Sequence, residues 1–179
     1  MRIEPTPLSG ACVIDIEPHH DERGFFARSY CAAEFEARGL NSEWPQCSVS
    51  FNAKRGTLRG MHWQEPPHAE TKLVRCTAGA IYDAIVDLRP DSATYLKHFG
   101  VELTAENHRQ LYIPEGFAHG FFTLADNTEV FYMMGTPYAP GAGKGARYND
   151  PAFGIEWPGE PAVISERDRN YPGFSGGTR

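Results

Sequence analysis

Between Val49 and Met134 the chain runs as short apolar stretches, each cut off by turn residues. Val49-Ser50-Phe51 leads into Gly56, Leu58 to Trp63 follows, and Lys72 to Cys76 precedes Gly79. Ala80 to Leu88 carries Ile81, Tyr82, Ile85, Val86 and Leu88. Phe99 to Leu103, Gln110 to Ile113, Gly120 to Leu124 and Glu129 to Met134 come after it. Turn signals at Arg89-Pro90-Asp91, Pro114-Glu115-Gly116 and Asp126-Asn127 separate these runs. Such spacing predicts an all-β sandwich or barrel. One helical window, Ala32 to Arg38, is closed by Gly39. An extended Val13-Ile14-Asp15-Ile16 segment could join the chain's own sheet or a neighbour's. Residues 139–179 are richer in glycine and proline and should wrap the barrel as irregular structure, packed through Ile155, Trp157 and Tyr171. With no linker or internal repeat, residues 1–179 are expected to form one domain.

Composition narrows the function classes. The chain of 179 residues is 41% hydrophobic and 22% charged, ordinary for a globular protein with a full core. Its 18 glycines and 14 prolines, spread without a low-complexity segment, point to turns rather than disorder. A net charge of −6 argues against a broad nucleic-acid surface, which needs cations in excess. Cys12, Cys31, Cys47 and Cys76 are widely spaced and read as small hydrophobes of a reducing compartment. Acids and prolines occupy the N-terminal segment where a signal peptide needs an apolar run. No stretch approaches the ~20 apolar residues of a membrane span. A soluble, cytoplasmic protein is the expectation, with neither membrane nor nucleic acid as partner.

Candidate chemistry gathers in a few places. His62 lies in Leu58-Arg59-Gly60-Met61-His62-Trp63, on a strand. A lone histidine there would read as a hydrogen-bonded core residue. With Arg59 beside it and Lys72 following, it reads better as a base near neutral pH. Lys72 is a solvated strand-edge lysine if it points outward, and a partner for a developing oxyanion if it points inward. His119 sits among Phe117, Phe121 and Phe122, fit to orient a ligand or to bond backbone. Tyr132, in an apolar strand, is either packing or a general acid facing His62. Asp168 matters only if it orients His62. Together these are a minimal set for taking a proton from carbon beside a carbonyl.

The chain resembles the dTDP-4-dehydrorhamnose 3,5-epimerases, the RmlC-like sugar epimerases of the cupin superfamily. The resemblance runs from about Asp21 to Asp168. It is carried by Asp21 through Phe26, Gly56 through Gln64, Lys72-Leu73-Val74, Asp83 through Arg89, Pro114 through Phe121, and Asn149-Asp150-Pro151, in that order. It implies a cupin-type jelly-roll barrel, a homodimer, no metal and no cofactor, and a nucleoside-diphosphate 4-keto-6-deoxyhexose as substrate. By resemblance, His62 is the general base paired with Asp168, Lys72 stabilises the enolate, and Tyr132 returns a proton from the other face. Arg23, Gln46, Ser48, Arg59, His119 and Arg167 match positions that hold the nucleotide and diphosphate, and Phe26 and Tyr138 match aromatics near the base.

Departures from the family pattern cluster at the nucleotide end. Arg28 stands where the family usually has Glu, Gln46-Cys47-Ser48 replaces a Gln-Asp-Asn run, and Lys144 stands where a Glu precedes a Gly. Two acids exchanged for two bases is a charge change of about four units around one ligand. A different nucleotide and neutral drift at exposed positions are both compatible with this. Inversion at one centre rather than two is a further alternative. From another class, His62, Glu70 and His119 could supply a two-His-one-carboxylate iron set. Against that, a metal cupin carries a second histidine where this chain has Gln64, and an inward Lys72 would repel the cation. A non-catalytic sugar-nucleotide binder would have no need of His62 and Tyr132 as a pair.

Overall fold

A computed structural model of the chain describes residues 1–176. Its first half contains β1 (Arg2–Pro5), β2 (Cys12–Asp15), β3 (His19–Asp21), β4 (Gly24–Phe26), α1 (Ala32–Glu36), β5 (Gln46–Asn52), β6 (Thr57–Gln64), β7 (Lys72–Ala78) and β8 (Ala80–Asp87). Then come β9 (His98–Thr104), β10 (Gln110–Ile113), β11 (Phe117–Thr123), β12 (Thr128–Met134), β13 (Gly143–Gly145), β14 (Val163–Ile164) and α2 (Glu166–Arg169). One sheet has the order β1-β2-β10-β7-β12-β5. The second runs β13-β6-β11-β8-β9, with β14 alongside β6, and β3-β4 form a separate hairpin. All pairings are antiparallel except β14 with β6. The runs imply a sandwich or barrel, and this is the jelly-roll barrel that the resemblance implies; the helix ends at Glu36, short of the expected Arg38 and ahead of Gly39 (φ +68°).

Strand alternation decides what each strand contributes. On β7, Val74 and Cys76 enter the core between the sheets, while Leu73 faces outward to a cluster with Phe35 of α1 and Tyr112. Lys72 shares the inward face with Val74. Phe117 and Phe121 of β11 and Val130 of β12 join the same core, which sends His119 and Tyr132 inward as well. On β6, Met61 faces out to a cluster with Ala146 and Phe153, so His62 faces in. Trp63, Ile155, Trp157 and Phe174 pack against that outer cluster. The C-terminal segment therefore wraps the second sheet, adding among the described residues only β13, β14 and α2 as regular structure.

A regular strand would send Arg59 and His62 to opposite faces. The β11–β6 register shifts between His119↔His62 and Phe121↔Arg59, a bulge that brings both side chains inward. Gly60 sits inside it at φ +135°, and a Cβ there would lie 2.6 Å from the Gly120 Cα. Only glycine tolerates that conformation and that approach.

Candidate active site

The inward faces of β5, β6, β7, β11 and β12, with β13 and α2 at the rim, line a cavity of ≈ 330 Å³. His62, Lys72, His119 and Tyr132 all reach it, as do Arg59, Ser48, Tyr138 and Arg167. Asp168 lies behind His62. Its Oδ1 is 2.7 Å from His62 Nε2, and its Oδ2 accepts the Gly60 N–H at 3.2 Å. Ser165 caps α2 by accepting the Asp168 N–H, so the carboxylate is fixed at a helix N-terminus. Burial pushes the Asp168 carboxyl up. The His62 hydrogen bond and charge, with Gly60 and Ser165, outweigh it and hold the group below the usual carboxylate range. The other His62 nitrogen, Nδ1, has no hydrogen-bond partner among the described residues, and the side chain is 40% exposed.

Lys72 is buried, and its ammonium lies 2.9 Å from Glu70 Oε1. Glu70 is oriented in turn by Gln64 Nε2, which donates to Oε2 at 3.2 Å. The Gln64 carbonyl accepts the Ala139 N–H at 2.8 Å, tying this network to the loop that carries Tyr138. His119 forms a second buried dyad, Nε2 to Asp83 Oδ1 at 2.6 Å, and its ring lies 6.1 Å from that of Tyr132. Burial raises the Tyr132 phenol, and the Asp83 charge adds to this against a smaller opposing effect from Arg59. Tyr132 is therefore neutral and protonated, the form a proton donor needs. Arg59 is braced by Asn52, donating from Nε to Oδ1 at 2.8 Å.

Gln46 Oε1 accepts the Tyr138 N–H at 3.1 Å, and its amide approaches Ser48. Arg23 and Phe26 are not brought to this cavity within one chain. They lie on the β3-β4 hairpin, where Arg23 pairs with Asp21 and Phe26 is 79% exposed. Phe26 and Arg28 instead line a separate cleft of ≈ 590 Å³ with Met1, Glu17 and Tyr30. The cations that depart from the family pattern have acidic partners here: Arg28 with Glu34 at 3.0 Å and Lys144 with Glu65 at 3.5 Å. For the iron set, each donor is already engaged, His62 with Asp168, His119 with Asp83 and Glu70 with Lys72. Among the described residues, no group of His, Cys, Asp and Glu side chains is arranged to hold a metal ion.

Asp83 is a site residue that motif reading alone passes over. Its signal is present nonetheless: a carboxylate inside the apolar run Ala80 to Leu88 must find a partner when buried. Glu70, singled out from sequence only as a metal ligand, is the counter-charge of Lys72 instead.

A jelly-roll barrel in which a His–Asp dyad, a buried lysine and a protonated tyrosine face one cavity is the architecture of a proton-transferring isomerase. The chain belongs to the dTDP-4-dehydrorhamnose 3,5-epimerase family, whose sequence profile matches residues 5–176. It is 41% identical to dTDP-4-dehydrorhamnose 3,5-epimerase of Shigella flexneri, over 97% of this chain and 96% of the relative. Identity to the enzyme of the same name from Methanothermobacter thermautotrophicus is 44%, over 95% and 92%. The crystal structure of the Bacillus anthracis epimerase with TDP and PPi bound superposes with a TM-score of 0.93 at 40% identity, covering 97% of this chain and 99% of that one. A 3'-monoepimerase from Streptomyces bikiniensis, in complex with dTDP-quinovose, superposes with a TM-score of 0.87 at 31% identity, covering 95% and 86%. No helix among the described residues is long and apolar enough to cross a membrane.

Proposed function

We propose that the chain inverts C3 and C5 of dTDP-4-dehydro-6-deoxy-D-glucose, or a close relative, by metal-independent proton transfer. The observation that carries this reading is the 2.7 Å His62–Asp168 contact in a cavity shared with Lys72 and Tyr132. The C4 carbonyl acidifies the hydrogens on C3 and C5. His62 takes one of them through its free Nδ1, and Asp168 stabilises the imidazolium that forms. The C–H electron pair moves onto O4, and the Lys72 ammonium bonds the resulting enolate. Tyr132 then gives its phenolic proton to the opposite face of the carbon, and the enolate collapses to the inverted ketone. Each inversion leaves His62 protonated and Tyr132 deprotonated, so a proton returns between them through water before the next. Arg59, His119 and Arg167, with Gln46, Ser48 and Tyr138, are assigned to nucleotide and diphosphate, and Arg23 and Phe26, which lie away from this cavity, to the ligand of a second copy of the chain.

The Streptomyces bikiniensis relative gives a second reading, inversion at one carbon only, since the proposed base, acid and lysine serve either outcome. Conversion of dTDP-4-dehydro-6-deoxyglucose, followed by NMR beside calorimetry with dTDP, UDP, CDP and GDP, tests the proposal. Inversion at both carbons with a dTDP preference is expected. A clear preference for another nucleotide would mean that Arg28, Ser48 and Lys144 mark a different substrate.

A further inference from the structure

Tyr171, three residues past Asp168, packs its ring against the imidazole of His62, with centroids 5.9 Å apart and planes at 67°. The Arg167 guanidinium lies over the Tyr171 ring, 5.5 Å from its centroid. Gly145 completes the seat. It stands opposite His62 in the β13–β6 pairing, and a Cβ at Gly145 would collide with the Cζ and Cε2 atoms of the Tyr171 ring. Tyr171 thus occupies a space that exists because residue 145 has no side chain. The Tyr171 hydroxyl is buried and has no hydrogen-bond partner among the described residues. A buried hydroxyl without a partner contributes no favourable polar contact. What the residue offers the site is its ring.

We propose that Tyr171 is a positioning residue for the reaction: its ring, seated on Gly145 and against Arg167, holds the His62 imidazole in line with Asp168. Asp168 fixes one nitrogen of His62 but leaves the ring free to swing about that contact. An aromatic neighbour packed at an angle removes the swing, and proton abstraction depends steeply on such alignment. The inference rests on His62 acting as the base.

Four forms of the full chain test it: Tyr171→Ala, Tyr171→Phe, Gly145→Ala and the Gly145→Ala/Tyr171→Ala double variant. Each is assayed on dTDP-4-dehydro-6-deoxyglucose, with its melting temperature and the His62 ring resonances recorded. Tyr171→Ala is expected to lower kcat about tenfold, short of the ~100-fold that a 1 Å misplacement can cost. KM should stay within about threefold, because alignment rather than binding is lost. Tyr171→Phe keeps the ring and should restore kcat to within about twofold of wild type, with the His62 resonances unmoved. Gly145→Ala displaces the ring without deleting it and should mimic Tyr171→Ala. In the double variant the added methyl has nothing to displace, so the two effects should not add. Equal kcat in wild type and Tyr171→Ala would overturn the proposal, as would additive losses or a Tyr171→Phe as impaired as Tyr171→Ala. A wild type that turns over none of the substrate would overturn the functional reading and this proposal with it.

Discussion

In the proposed reaction, Tyr132 and His62 divide the proton chemistry by environment. Burial and the Asp83 carboxylate keep the phenol protonated, while Asp168 holds the imidazole ready to accept charge. If Tyr132 is the acid of the opposite face, Tyr132→Phe should separate two events that wild type couples. His62 would still abstract and return protons on its own face, so solvent deuterium would enter the sugar. Inversion would fall by about 100-fold or more, the scale of a lost general acid. NMR in deuterated water reads both; a variant that inverts normally would remove Tyr132 from its role. At this scale the sequence named the residues but left the aim of Lys72 and Tyr132 open, because apolar side chains occupy both faces of their strands. Lys72 shares a face with Val74, and Tyr132 shares one with Val130, and those neighbours in the core aim both inward. Arg59 is turned inward against the period of its strand by the bulge at Gly60.

Among elements, the turn after β8 shows how one buried carboxylate can organise a corner. Asp87 accepts both Arg89 Nε at 2.8 Å and Arg89 Nη2 at 2.7 Å, and the Thr94 hydroxyl at 2.6 Å. Burial pushes the Asp87 carboxyl up, but these bonds and the one from Ser92 prevail and hold it at about 2. A depressed folded value means the stabilisation is complete above the ordinary value of 3.8 and disappears as pH falls through about 2. That difference corresponds to about 2 kcal/mol. Asp87→Asn should therefore lose roughly that stability at pH 7 in denaturant melts, and its stability should vary less between pH 4 and pH 2 than that of wild type. An unchanged slope would assign the acid sensitivity elsewhere. Most strands and α1 were legible, since turn residues such as Pro114 and Gly116 cut the chain where the strands end. The β3-β4 hairpin, β1, β13 and β14 were not. All are short, two to four residues per strand, and β13 and β14 exist by pairing with β6 rather than by any pattern of their own.

For the whole molecule, a single chain brings His62, Lys72, Tyr132 and Asp168 together yet leaves Phe25, Phe26, Val49 and Phe51 exposed, and Arg23 apart from the cavity. We propose that the protein is a homodimer, as its family resemblance implies. Light scattering should give a mass near twice the 19.9 kDa of one chain, and a monomer at micromolar concentration would contradict it. The cavity's location was not legible as a position, because it depends on two sheets and the returning C-terminal segment meeting at His62. The residues that gather there, His62, Lys72, Tyr132 and Asp168, were singled out in the sequence by their match to a family pattern. The most direct measurement is proton NMR of dTDP-4-dehydro-6-deoxyglucose with the protein in deuterated water, beside a His62→Ala control. Loss of both the C3 and C5 proton signals with wild type alone is the expected result. Exchange that continues undiminished without His62, or no exchange with wild type, would contradict the assignment of His62 as the base of a sugar epimerase.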